Sequence, residues 1–350
     1  MKIDLAAGSL DPRLAAQTAR AAEAAGFDGL WLAETEHDPF LAAGAALAAT
    51  QRLEIGTGVA VAFARSPVVI AHTAFDLAAL GEGRFLLGLG TQVRGHVERR
   101  FGMPWSAPAP RLAEWIDVIR AAWVAWQERA GFRFRSEHFD LSLMPDFFRP
   151  PPLAFPPPGP GRPRIPISIA GVGPGLARLA GRLADGFQVH PFHTARYLAE
   201  VLEPAIVSGA ASRDPAAAGA APERIVPVFL VPAEDAALRE EVRGRIAFYA
   251  STPTYRGVLR LHGREAIGER LGRLAVTGRW SEMPALVDDE LLAEVAVVAP
   301  AAELGAALAA RVAGHAERVV PILPFEPDAD GRPRNGEAWA VLLRALRSTG

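Results

Sequence analysis

The chain has 350 residues and no cysteine. That excludes disulfides, thiolate metal sites and a cysteine nucleophile, and it fits a reducing compartment. Lysine is almost missing too: Lys2 stands alone, which leaves a lysine-built site for a substrate phosphate unsupported. Neither sign of charge dominates. A formal net charge of −2 gives no reason to expect nucleic acid or an anionic membrane surface as partner. No apolar run approaches the ~18–20 residues of a membrane helix, and the opening MKIDLAAGSLDPR lacks the apolar stretch of a signal peptide. A soluble, cytoplasmic protein is the expectation. Several motifs are absent as well: a Walker-type glycine–lysine loop, a His-Glu-x-x-His zinc helix and a Gly-x-Ser-x-Gly nucleophile elbow. No metal site is expected.

What is present is a large apolar fraction, 50% of residues against 22% charged, which is enough for a core and argues against disorder. Short apolar runs alternate with helical patterns along the chain. Strands are expected over 2–6, 27–33, 53–62, 83–90, 165–170, 186–190, 225–231 and 318–323. The run over 83–90, with Phe85, Leu86, Leu87 and Leu89 between glycines, lacks polar alternation, as a strand buried on both faces does. Helices are expected between the strands. One covers 12–25, with Gly26 as its cap, and another covers 111–127, with Trp115, Trp123 and Trp126 at core spacing. Alternation of this kind predicts a parallel sheet, and eight strands predict an α/β fold closed into a (β/α)8 TIM barrel. The whole chain, 1–350, is expected to be one domain. Two segments interrupt the repeat: proline-rich 132–164, which could also be a linker, and 251–290, expected to be irregular. A helix over 336–346 closes the chain.

In such a barrel the functional groups sit at the carboxyl ends of strands. Those positions hold Glu34, Thr35, Glu36, His37 and Asp38 after the second strand, Thr57 and Gly58 in the third, Thr91 and Gln92 after the fourth, and His190 and His193 after the sixth. Asp38 before Pro39 also suits a helix cap, and a lone histidine can be structural as well as a proton carrier. The run Gly171-Val172-Gly173-Pro174-Gly175 opens like a dinucleotide fingerprint, but Leu176 takes the place of its third glycine. Glycines leading into a helix suit a phosphate, or make an ordinary strand–helix turn.

The stretches AETEHDPF (33–40), LEIGTGVAVAFARSP (53–67), GRFLLGLGTQVRGHVERRFGMPW (83–105), 169–186 with its ADG ending, FYASTPTY (248–255) and Leu261-His262-Gly263 occur in this order over most of the chain. In them the sequence resembles the luciferase-like oxidoreductases, and within these the branch that uses the deazaflavin coenzyme F420. The resemblance implies a barrel of the bacterial luciferase-like type with insertion segments at its mouth. It also implies an F420-dependent oxidoreductase acting on a small organic molecule, commonly as a homodimer. Two alternatives share the barrel: an FMN-dependent monooxygenase and a cofactor-binding paralogue without turnover. Members often carry a non-proline cis peptide in strand three, and the matching bond is Gly58–Val59. The implied cofactor contacts are Thr35, Thr57, Gly58, Val59, Thr91, Gln92, the phosphate turn Gly171, Val172, Gly173 and Pro174, and His190. Many deazaflavin-dependent dehydrogenases have an acid followed directly by histidine after strand two, and some add a glutamate after strand four. This chain has Glu34-Thr35-Glu36-His37 and Thr91-Gln92, so Glu34 and His37 are the candidates for proton transfer.

Overall fold

A computed structural model describes residues 1–155, 165–213, 221–325 and 335–348. Eight parallel strands close on themselves: β1 (Lys2–Gly8), β2 (Gly29–Leu32), β3 (Glu54–Thr57), β4 (Phe85–Gly90), β5 (Ile167–Gly171), β6 (Gly186–Val189), β7 (Glu223–Pro232) and β8 (Arg318–Ile322). Each pairs with the next, and β8 pairs back with β1 through Lys2↔Arg318 and Ile3↔Val319. The predicted barrel is therefore the observed one. Residues with no polar alternation form its wall: Leu30 and Leu32 in β2, Phe85, Leu87 and Leu89 in β4, and Ile167 and Ile169 in β5 are all buried. Burying one such side chain stabilises the fold by roughly 1.5–3 kcal/mol.

The helices start where the sequence provides caps. In α1 (Pro12–Ala25), Asp11 accepts from the N–H groups of Arg13 and Leu14, and Gly26 ends the helix at φ 93°. Asp38 does the same for α2 (Pro39–Ala49) through Phe40 and Leu41. Next come α3 (Pro67–Leu80), the short α4 (Arg94–Arg99) and the long α5 (Pro108–Gln127), whose Trp115 and Trp126 are buried as their spacing predicts. An ion cluster seals the amino-terminal floor. Arg318, 1% exposed, makes a bidentate pair with Asp4 at 2.6 and 2.9 Å and a bond to Glu54 at 2.6 Å, while Lys2 also holds Glu54. Burial opposes the Arg318 charge, but Asp4 and Glu54 outweigh it and its pKa is raised.

Two features at the mouth depart from a plain barrel. The first is a bulge in β3. Ile55 and Gly56 pair with Phe85 and Leu86, and pairing resumes at Ala60 and Val61 with Leu89 and Gly90. Four residue steps, Gly56 to Ala60, thus face three, Leu86 to Leu89, so the third strand carries one extra residue. The second is a split between β6 and β7. Their pairing stops at Gln188↔Ile225, and higher up β7 pairs instead with a separate parallel strand, Ala296–Ala299.

The segment after β7 fills that split, and here the expectation of irregular chain over 251–290 is corrected. Helices Arg256–Leu261 and Glu265–Val276 occupy nearly half of it, with short 3-10 turns beside them. Gly268 and Leu271 of the second helix are buried, and Ile267 and Leu274 pack on the core. That is a helical stripe in EAIGERLGRLAV, hidden in the sequence by the glycines around it. The excursion beginning at 132 forms a small hairpin, Phe134–Arg135 with Asp140–Leu141, tied to α5 by Glu114, which accepts from Ser136 and from the His138 N–H. The prolines at 156–164 lie outside the described residues. The terminal helix, Gly336–Ser348, is present and buries Trp339.

Candidate active site at the barrel mouth

The β3 bulge is the centre of the mouth. The Gly58–Val59 peptide is cis, as the family resemblance implied. The loop around it is tied down at each step. The Gly58 N–H donates to the Leu32 carbonyl at 2.7 Å, the Val59 carbonyl accepts from the Glu34 N–H at 3.2 Å, and the Val61 N–H donates to the Glu34 carboxylate at 2.7 Å. Gly90 makes room for Val59: a Cβ at position 90 would lie 2.5 Å from Val59 Cγ2. The result is a fixed backbone ledge.

Glu34 is thus a structural clamp as well as a candidate acid. Its side chain is 7% exposed and forms an ion pair with Arg65 at 2.8 Å, while Arg65 reaches Asp38 at 2.7 Å. Burial works against the Arg65 charge, yet the bonds to Glu34 and Asp38 win and raise its pKa. Asp38 therefore caps α2 and anchors Arg65 at once. Thr35 and His37 are exposed. The Thr35 carbonyl accepts from Arg100 at 2.6 Å, and the N–H groups of Glu36 and His37 both donate to Ser9 Oγ. Those bonds fix the backbone at the rim and leave the His37 ring outside them.

Below the ledge, Thr57 is fully buried. Its hydroxyl donates to the Gly88 carbonyl at 2.7 Å and accepts from the Gly88 N–H at 2.8 Å. Sequence reasoning named Thr57 as a cofactor contact; the structure places it in the barrel interior, where it pins β3 to β4. Gln188 completes this layer, donating to the Thr57 carbonyl at 3.0 Å and to Ser168 Oγ at 2.8 Å. Sequence reasoning missed Gln188, whose signal was a lone amide in the apolar strand GFQV. It gave no role to Arg65.

Thr91 and Gln92 lie at the end of β4. Thr91 is 8% exposed, and Gln92 has φ 57°, with its side-chain carbonyl accepting from the Val93 N–H at 3.0 Å. That unusual backbone turns the chain into α4. Across the mouth, Gly171 ends β5, Val172 is buried, and Gly173 precedes α6 (Pro174–Leu183), whose amino terminus no side chain caps. A Cβ at Gly173 or Gly175 would meet nothing within 4 Å, so this turn presents open space at a helix start.

His190 sits beside that turn, its N–H bonded to the Gly171 carbonyl at 3.2 Å. Its ring packs against Tyr249 and Tyr255, each with centroids 4.6 Å away, and Nδ1 accepts from the Phe192 N–H at 3.0 Å. The ring proton is therefore on Nε2. Burial, with a smaller push from His193, lowers the His190 pKa to about 3. Burial and then Arg311 lower His193 to about 4, and that ring donates from Nδ1 to the His190 carbonyl. Both histidines are neutral near pH 7. Two concavities elsewhere, of about 290 Å³ beside α5 and about 370 Å³ at the floor, include none of these residues.

Against this geometry the likenesses to known proteins can be placed. A sequence model described as luciferase-like monooxygenase matches residues 2–318. An uncharacterised protein of Mycobacterium tuberculosis is 43% identical over 321 residues, 89% of this chain and 92% of the relative. The F420-dependent glucose-6-phosphate dehydrogenase of Beutenbergia cavernae is 31% identical over 210 residues, 55% of this chain and 57% of the dehydrogenase. Among solved structures, the F420-dependent tetrahydromethanopterin reductase of Methanopyrus kandleri superposes with a TM-score of 0.75 at 16% identity, covering 99% of this chain and 98% of the reductase. The FMN complex of the oxygenating constituent of 3,6-diketocamphane monooxygenase from Pseudomonas putida gives 0.65 at 16% identity, covering 99% and 98%. These two likenesses are of fold. No helix among the described residues is long and apolar enough to cross a membrane. Relatives in sequence include F420-dependent oxidoreductases, and the match over residues 2–318 places this chain in the luciferase-like monooxygenase family.

Proposed function

We infer that this protein is a coenzyme F420-dependent oxidoreductase acting on a small organic molecule. The observation that carries the reading is the braced ledge at Gly58–Val61, a fixed stretch of backbone at the mouth against which a flat ring can rest. The residues present fit such a cofactor. The β3 bulge offers backbone rather than side chains, and the turn Gly171–Pro174 at the start of α6, open at Gly173, suits a phosphate-bearing tail. When bound, the deazaflavin supplies hydride chemistry, and the chain supplies placement and proton handling.

In this reading Gly58 and Val59 support the ring, and Thr91 and Gln92 border it from β4. Thr57 acts from beneath by fixing the register of β3 against β4. Thr35 belongs to the rim. Glu34 holds the ledge through Val61 and Arg65, and His37, exposed on the same segment, carries the proton to and from solvent. His190 and Gly171–Pro174 take the tail.

FMN is the rival cofactor, since an FMN-containing relative shares the barrel. Titrating both cofactors while following their fluorescence separates the readings. Tighter binding of F420 supports this one, and tighter binding of FMN refutes it.

The homodimer belongs to the same proposal. Helices α2 and α3 are apolar well beyond their buried faces, with Leu41 68%, Val69 54% and Leu80 51% exposed. Adjacent helices carrying such side chains outward suit a second copy of this chain.

A further inference from the structure

One group of polar atoms at the mouth has no partner in the fold. It lies where β6 and β7 separate. Tyr249, near the end of the helix Ala236–Ala250, and Tyr255, in the turn Pro253–Tyr255, close on His190 from two sides. Among the described residues neither phenol makes a hydrogen bond, and the imidazole makes only the one its Nδ1 accepts. Burial raises the pKa of both tyrosines, and Tyr249 raises that of Tyr255 further. They are phenols, not phenolates, near neutral pH. Two O–H groups and one N–H, half-buried together without acceptors, form an incomplete set of donors.

The set is also free of net charge. The one cation acting on Tyr249 is Arg245, which is paired with Glu241 at 2.7 Å. His193, the neighbour felt by His190, is itself neutral near pH 7. Lys2, the sole lysine, lies at the floor. The donors adjoin the glycine turn through the bond from the His190 N–H to the Gly171 carbonyl. No cation acts on His190 or Tyr255 directly, and Arg311 is felt only through His193, so an anion held there meets hydrogen bonds and a helix start rather than a charged partner. One negative charge is tolerated on those terms, whereas a terminal phosphate monoester carries about −1.5 to −2 near pH 7.

We propose that His190, Tyr249 and Tyr255 are specificity-determining residues that accept the cofactor tail as a singly charged phosphodiester and select against a terminal phosphomonoester. The inference rests on the F420 reading and adds to it the reason for the choice. Coenzyme F420 bears the diester and FMN the monoester.

Four compounds test it by fluorescence titration of the purified full chain: F420, the corresponding phosphate-free deazaflavin, FMN and riboflavin. The expected result is F420 binding about tenfold or more tighter than the phosphate-free deazaflavin, with FMN no more than about twofold tighter than riboflavin. In the double variant Tyr249→Phe with Tyr255→Phe, the advantage of F420 over the phosphate-free compound should fall by about tenfold, while the phosphate-free compound binds as before. The single variant Tyr255→Phe, showing part of the same loss, guards against a folding defect in the double. FMN exceeding riboflavin about tenfold, or F420 keeping its full advantage in folded variants, overturns the proposal. The two phosphate-free compounds report on ring choice alone: riboflavin binding more tightly than the deazaflavin overturns the cofactor reading, and this proposal with it.

Discussion

Removing the Glu34 carboxylate is the most direct probe of the ledge. Its side chain is 7% exposed and holds two groups at once, the Val61 N–H at 2.7 Å and Arg65 at 2.8 Å. Glu34→Ala strands both. An unpaired buried N–H costs about 1–3 kcal/mol. Breaking one partner of a fully buried ion pair costs about 3–5 kcal/mol. The second figure must be reduced here, because Arg65 is 20% exposed and keeps Asp38 at 2.7 Å. A loss of about 2–4 kcal/mol is the expectation. Glu34→Gln retains acceptor and shape and loses only the charge, so about 1–2 kcal/mol should go. Urea unfolding measures these losses as shifts in the midpoint at constant slope. Cofactor titration then reads the ledge itself: F420 affinity should fall more in the alanine variant than in the glutamine variant. If both variants unfold at the wild-type midpoint and bind F420 unchanged, Glu34 is no clamp. The assignment of the proton to His37 then loses its basis.

Other perturbations reach different layers. Gly88→Ala should abolish soluble expression or lower the urea midpoint sharply, because the new Cβ falls 1.8 Å from the Thr57 carbonyl oxygen, which is backbone and cannot move aside. Thr57→Val should destabilise by about 1–3 kcal/mol by unpairing Gly88, visible in the same assay. Acid should weaken the fold in a specific window. His190 and His193 titrate near 3 and 4 when folded and near 6.5 when unfolded. The unfolded chain binds more protons below about pH 6.5, so their contribution is complete above that pH and declines as pH falls toward 4. Two such groups give a slope of about 2–2.5 kcal/mol per pH unit between about 6 and 4, and His193→Gln should remove about half of it in urea titrations. For the dimer, Leu41→Glu with Val69→Glu should turn the expected two-chain species into a monomer by light scattering, and an unchanged mass would move the interface elsewhere.

The barrel was legible in the sequence because its signals are local and repeated. Continuous apolar runs mark strands buried on both faces, Asp11 and Asp38 announce helices, and Gly26 ends one. The mouth was legible only as a set of positions. The pentad 34–38 is five consecutive polar residues at a strand end, but nothing in it says that Glu34 reaches forward to Val61 and Arg65 while His37 stays at the rim. Thr57 illustrates the limit most clearly. Its place at the end of a strand suggested a ligand contact, yet which side of the wall a strand-end hydroxyl faces depends on the bulge that follows, and a bulge is a relation between two strands. Tyr249 and Tyr255 were visible inside FYASTPTY, but their meeting with His190 requires the split between β6 and β7, which no local pattern reports.

These observations assign the mouth to two layers with different work. The lower one, Thr57, Gly88, Ser168 and Gln188, is tied together by internal hydrogen bonds. The upper one leaves backbone and donors exposed: the Gly58–Val59 ledge, the turn at Gly171–Pro174 and the His190–Tyr249–Tyr255 set. Thr57 immediately precedes Gly58, so the lower layer fixes where the upper one begins. Substitutions below should therefore shift stability and cofactor affinity together, whereas substitutions in the tyrosine set should shift affinity alone. A Thr57→Val protein that loses stability but binds F420 at the wild-type affinity would break that coupling, and the ledge would then have to be held by Glu34 and Arg65 without support from beneath.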